Sequence, residues 1–132
     1  MIFKKIKQYP ITLLALLLIA YLSFMNTEGI PDQNFLNFKG SDLMVHFLMY
    51  SFLSFVFFFE HFKNKKRAII GFHWILLFFS VLISISATVE VLQPIVARRS
   101  CEFYDLLANT TGVIWGYIFF RLVHYTWYRL KR

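Results

Sequence analysis

His46, Glu90 and Asp105 are the residues of this chain best suited to moving a proton. An imidazole beside a carboxylate can accept and return a proton near neutral pH, which is what general acid–base chemistry needs at a reacting bond. Each of the three has polar company at helical spacing. Asp42, His46 and Tyr50 follow at steps of four, a slowly drifting stripe on one helix. Glu90 and Gln93, three apart, share a face, and Asp105, Asn109, Gly112 and Gly116 are spaced by four, three and four. Arg98 and Arg99 fall between the last two groups, and the planar fork of an arginine is suited to holding an anion. Asn109 and Gln93 can orient neutral oxygen atoms. Asp42, His46, Glu90 and Asp105 are also donors that a divalent metal accepts, the alternative chemistry for this set. No local signature such as His-Glu-x-x-His gathers them, so no cofactor is expected. The single cysteine, Cys101, excludes an intrachain disulfide and a cysteine-based zinc site.

The elements that must position these residues are four apolar runs at about 11–25, 43–62, 68–91 and 106–127. Of the 132 residues 58% are hydrophobic, 16% are charged and 17 are Phe, more apolar surface than one soluble domain of this size can hide in its own core. A bilayer removes the difficulty by acting as solvent for the outside. The expected fold is all-α, a single-domain integral membrane bundle of four helices occupying residues 1–132. The first run is short for a span, but no small-x-small cleavage motif follows it, so it is read as an uncleaved helix. Pro94 is expected to close the third run, because proline cannot continue the hydrogen-bond ladder. The net charge of +7 does not indicate nucleic acid: the basic residues stand in short clusters beside apolar runs, with no basic face carrying interleaved stacking aromatics.

Charge sets the direction. With the N-terminus inside, all of the 14 Lys and Arg except Lys39, Arg98 and Arg99 fall on the inner side. The positive-inside rule therefore selects cytoplasmic N- and C-termini. The polar groups played little part in that deduction, yet it brings them all to the outer half of the membrane. An ionisable side chain at that depth costs several kcal/mol unless paired, hydrated or turned inward. His46, Glu90, Asp105 and Asn109 are therefore expected to share a cavity opening outward, with Asp42, Tyr50, Gln93 and Arg99 as substrate-binding groups. The competing reading is that they staple helices, with Asp105 a simple N-cap. Gly112 and Gly116, and the stripe Ser80, Ser84 and Thr88, are expected to serve helix packing. His61, His73 and His124 are read as interfacial, with Glu60 the one nearby carboxylate, and Phe57–Phe59 as lipid-facing or core filler.

At these residues the chain resembles the VanZ-like family of small bacterial membrane proteins. The resemblance runs through Asp42-x-x-x-His46-Phe47-x-x-Tyr50, Glu90-x-x-Gln93, Arg99-Ser100 and Asp105-x-x-x-Asn109-x-x-Gly112-x-x-x-Gly116, about the last two-thirds of the chain. Arg99, not Arg98, keeps the family's six-residue step to the aspartate. Leu43 stands where the family usually has lysine. The resemblance implies a multi-pass protein of the bacterial cytoplasmic membrane. The family's name comes from a protein that gives low-level resistance to teicoplanin, but the resemblance supplies no mechanism. Two functions fit the residues. One is an enzyme at the outer leaflet acting on a lipid-linked or cell-envelope substrate, with Arg99 holding an anionic head group. The other is a non-catalytic accessory subunit that recognises an envelope lipid, a glycopeptide or a partner helix.

Overall fold

In the computed structural model, residues 8–25, 40–65, 71–96 and 102–130 are described. They form four helices, α1 (Pro10–Phe24), α2 (Ser41–Lys65), α3 (Phe72–Val96) and α4 (Phe103–Leu130), with no strand among the described residues. Pro10 opens α1 at a position where its missing N–H would have had no intrahelical partner. Gly40, at φ +96°, turns the chain into α2 through a backbone conformation that a side chain disfavours.

Polar side chains share the interior of the bundle with apolar ones, and the outside is largely apolar. Ser54, Glu60, Ser86, Glu90, Gln93, Asp105 and Asn109 are buried, whereas Leu17, Phe52, Leu77, Val81, Trp115 and Ile118 are exposed. Water would reverse that arrangement; hydrocarbon requires it, because polar groups must then be satisfied within the protein. α2, α3 and α4 are long and apolar enough to cross a membrane, and α1 is a shorter apolar helix of 15 residues. At about 1.5 Å per residue the 25 residues of α2 rise about 37 Å, against a hydrocarbon core of about 30 Å.

The centre of the bundle is a parallel pair, α2 and α4, in backbone contact. A Cβ at Gly112 would lie 2.5 Å from the Phe47 carbonyl oxygen, and one at Gly116 would run into the Ser51 carbonyl oxygen. The two glycines therefore act in packing, as their spacing implies. The Ser54 hydroxyl donates to the Val113 carbonyl at 2.7 Å beside this seam. Below the seam Phe58, fully buried, packs its ring against Phe78, Tyr117 and Phe120. Phe57 stacks on Phe78 while Phe59 faces outward, so the aromatic run divides between core and surface.

Three expectations need correction. α3 passes through Pro94 and ends at Val96. A proline in the last turn removes one ladder hydrogen bond, that to the Glu90 carbonyl, and so near the end little helix remains to disrupt. α4 starts at Phe103, not near 106, so Asp105 is the third helical residue and not an N-cap. The Ser80, Ser84 and Thr88 stripe is exposed and does not pack; the Thr88 hydroxyl returns its hydrogen bond to the Ser84 carbonyl of its own helix.

Candidate functional site

The residues singled out for chemistry meet at one end of the bundle, where α2 and α4 begin and α3 ends. His46 lies one turn into α2, and its 3% exposure places the imidazole inside the protein. Asp105 reaches it from the first turn of α4 and Glu90 from the second-last turn of α3. The imidazole lies between them: Nδ1 is 3.7 Å from Glu90 Oε1, and Nε2 is 3.8 Å from Asp105 Oδ2. Burying each acid is tolerable because helix geometry turns it inward; Asp105 also sits in the first turn, where the helix dipole favours a negative charge.

Asn109 ties the three helices together. Its side chain is 1% exposed; Oδ1 lies 3.1 Å from His46 Nδ1, and its amide donates to Ser86 Oγ at 2.7 Å and to Glu90 Oε1 at 3.3 Å. With the amide NH2 turned toward Ser86 and Glu90, the carbonyl of Asn109 faces His46. Nδ1 of His46 therefore carries the hydrogen, and a neutral ring presents its lone pair at Nε2, on the side of Asp105. Hydrogen bonding thus sets the tautomer of the ring.

The remaining candidates divide. Tyr50, one turn below His46, is 1% exposed and shares a hydrogen bond with Ser86. It supports the cluster from inside the core and is not displayed to a ligand. Asp42 is exposed at the start of α2, and one of its oxygens, His46 and Asp105 offer ligand atoms that all lie within 4.8 Å of one another. Gln93 is buried on α3; its amide reaches the Ser23 carbonyl at 3.4 Å, near the end of α1, and its Oε1 has no hydrogen-bond partner among the described residues. Arg99, and with it Arg98 and Cys101, lies outside the described residues.

Ser86 is the member of the cluster that sequence reasoning passed over. It stands four before Glu90 and seven before Gln93, the spacing of one helix face, and the exposed Ser80, Ser84 and Thr88 register drew attention away from it. Glu60 was missed at the opposite end. It is buried, and both its oxygens serve the start of α1: Oε1 accepts from Ile11 N at 3.0 Å, Oε2 from Thr12 N at 2.9 Å and from the Thr12 hydroxyl at 2.7 Å. Tyr9, the residue before α1, has no side-chain cap of its own, so a carboxylate from α2 does the capping. The Tyr9 hydroxyl meets His61 Nδ1 at 3.0 Å, and burial together with the Glu60 charge raises the Tyr9 phenol above its ordinary pKa. His61 is therefore a structural partner here, and His124 packs edge-on against Phe62.

A family model, VanZ/LLP1, matches residues 3–124, nearly the whole chain and all of the described cluster. The chain belongs to the VanZ/LLP1 family. Searches of curated proteins and of solved structures gave no match. Membership agrees with the four-helix architecture and with a bilayer as its surroundings. For a VanZ-family membrane protein, the cluster sets a carboxylate beside each nitrogen of the ring, Glu90 near Nδ1 and Asp105 near Nε2, with Asn109 bonded to Nδ1. The same edge of His46 that faces Asp105 also allows ligation of a cation.

Proposed function

We propose that this VanZ-family protein binds the anionic head group of a lipid-linked or cell-envelope substrate at the outer face of the bacterial cytoplasmic membrane and acts on it by acid–base chemistry. One observation supports this reading above the others: a buried imidazole from α2 lies between carboxylates from α3 and α4. A helix-stapling role does not call for an ionisable ring between two acids, whereas proton transfer does. His46, Glu90 and Asp105 are the acid–base group, Asn109 orients His46, Asp42 at the exposed start of α2 meets the head group, and Arg99 clamps its charge. The orientation is supported by the sequence, in which most lysines and arginines adjoin the start of the first apolar run and the ends of the second and fourth.

The test compares function with folding. Glu90→Gln and His46→Gln each keep polarity while removing titration. Both are expected to lose the phenotype of the intact gene, read as envelope stress or glycopeptide sensitivity in a deletion strain, at normal membrane abundance and melting temperature. Arg99→Lys keeps the charge and loses the bidentate fork, so the clamp weakens. Wild-type function in all three variants rejects the site; loss of function that tracks loss of folding assigns these residues to structure. Orientation is read from Cys101, which a membrane-impermeant thiol reagent is expected to label from outside without lysis; labelling only after permeabilisation reverses it.

A further inference from the structure

We infer that Asp42, His46 and Asp105 hold one divalent cation of the Mn2+ or Zn2+ class, whose open coordination positions take phosphate oxygens of the head group. The second half rests on the head-group binding proposed above and, with an ion bound, replaces proton transfer by His46 and Asp105 with ligation; the first half does not rest on it.

The geometry of His46 carries the inference. Asn109, oriented by Glu90 and Ser86, places the ring hydrogen on Nδ1 and the lone pair on Nε2. This is the arrangement of a metal-ligating histidine, whose other nitrogen is held by a carbonyl or carboxylate beyond the ligand shell. Nε2 faces Asp105 Oδ2 at 3.8 Å, so two electron-rich atoms point at one another across a gap too long for a hydrogen bond. Two atoms bound to one ion at about 2.0–2.2 Å stand about 3.0–4.2 Å apart, depending on the angle at the metal. The His46–Asp105 separation lies inside that range. Asp42, exposed at the start of α2, completes the set, its ligand atom within 4.8 Å of the other two.

Charge and donor type define the ion. A divalent cation offsets the negative charge of the carboxylates gathered here, which lowers the cost of such groups at membrane depth. One nitrogen and two carboxylates suit Mn2+ or Zn2+, whereas Mg2+ is bound through oxygen. Three protein ligands leave positions for substrate oxygen. Glu90 stands at the Nδ1 edge and is a positioning residue for His46, not a ligand.

The experiment uses the full chain purified in detergent, stripped with chelator and titrated with Mn2+ in the absence of added lipid. One ion per chain is expected, with nitrogen hyperfine coupling from a single imidazole in its electron spin resonance. Asp105→Asn and His46→Gln are expected to weaken binding at least tenfold. Asp42→Asn, whose exposed position leaves the fold intact, is expected to weaken it measurably, while Glu90→Gln still binds one ion. Absence of a stoichiometric ion with either Mn2+ or Zn2+ at millimolar concentration overturns the site, as does binding unchanged in Asp42→Asn and Asp105→Asn. Short-chain phosphatidic acid is then added to the Mn2+-loaded protein. Phosphorus hyperfine coupling supports the head-group assignment, and a bound ion without it overturns that assignment while leaving the metal site standing. Failure of the functional reading shows separately, as wild-type phenotype in Glu90→Gln cells.

Discussion

A carboxylate is buried at each end of the bundle, Glu60 at one and Glu90 at the other, and the two are held in different ways. Glu60 accepts from two backbone amides and a hydroxyl at 2.7–3.0 Å, all at the first turn of α1. Its partners all belong to the first turn of α1, two of them main chain, so its position serves the fold. Glu90 meets the Asn109 amide at 3.3 Å and the His46 ring at 3.7 Å, side chains from two other helices. A change of charge on any one member of that set alters the balance on the others, because short side-chain networks in a low dielectric couple strongly. The same residue type at similar burial is therefore a structural cap in one place and a candidate for chemistry in the other; what separates them is that Glu60 serves the unpaired amides of a helix start, whereas Glu90 joins a side-chain network that includes His46.

The comparison presupposes the seam that holds both ends, and the largest effect is expected there. Gly116→Val drives a branched side chain into the Ser51 carbonyl, which cannot yield without parting α2 from α4. Loss of folded protein from the membrane is expected, read as abundance and as monodispersity in detergent; a normally folded variant would disprove the close approach. Next is Glu60→Ala. It leaves the Ile11 and Thr12 amides and the Thr12 hydroxyl without an acceptor, and a loss of about 2–4 kcal/mol in unfolding free energy is expected. Specific function per folded molecule should stay at the wild-type level, whereas in Glu90→Gln stability persists and function goes. If Glu60→Ala removes function at full stability, the contrast between the ends fails. Thr12→Val is a smaller version: one of three bonds to Glu60 is lost, for about 1 kcal/mol, measured by the same unfolding curve.

How legible these two ends were in the sequence differs for a physical reason. The site end was legible because its members repeat at three and four along three helices, and helical spacing converts directly into a shared face. Charge at the run ends then aligned those faces without any knowledge of packing. The Glu60 end was not legible, because its partners are the amides of Ile11 and Thr12, and every residue has an amide; no side-chain pattern marks which one lacks a partner. Helix ends were hidden for similar reasons. Apolarity ends where the bilayer ends, whereas α4 begins at Phe103 and α3 continues past Pro94 on backbone hydrogen bonds alone. Arg99, placed by the resemblance, falls outside the described residues, so its role rests on the proposal and its test.

The smallest expected effect sharpens the comparison most, because it contrasts two faces of a single helix. Ser86 and Thr88 are two residues apart on α3, both hydroxylated, and they point in different directions. Ser86 is 1% exposed and accepts from the Asn109 amide, whereas Thr88 is exposed and bonds only to the Ser84 carbonyl of its own helix. Hydrogen bonds between membrane helices are worth about 0.6 kcal/mol on average, so Ser86→Ala, which loses its bonds to Asn109 and Tyr50, is expected to shift unfolding by about 1 kcal/mol at most. Its functional effect should be larger than its effect on stability. Without Ser86 the Asn109 amide is oriented by Glu90 alone, the His46 tautomer is less firmly set, and the pH profile of function is expected to move. Thr88→Val keeps the shape of the side chain and removes an exposed hydroxyl, so both stability and pH profile should match the wild type. A shifted profile in Thr88→Val, or an unshifted one in Ser86→Ala, would show that the orientation of Asn109 does not govern His46, and the line drawn between the two ends of the molecule would have to be drawn elsewhere.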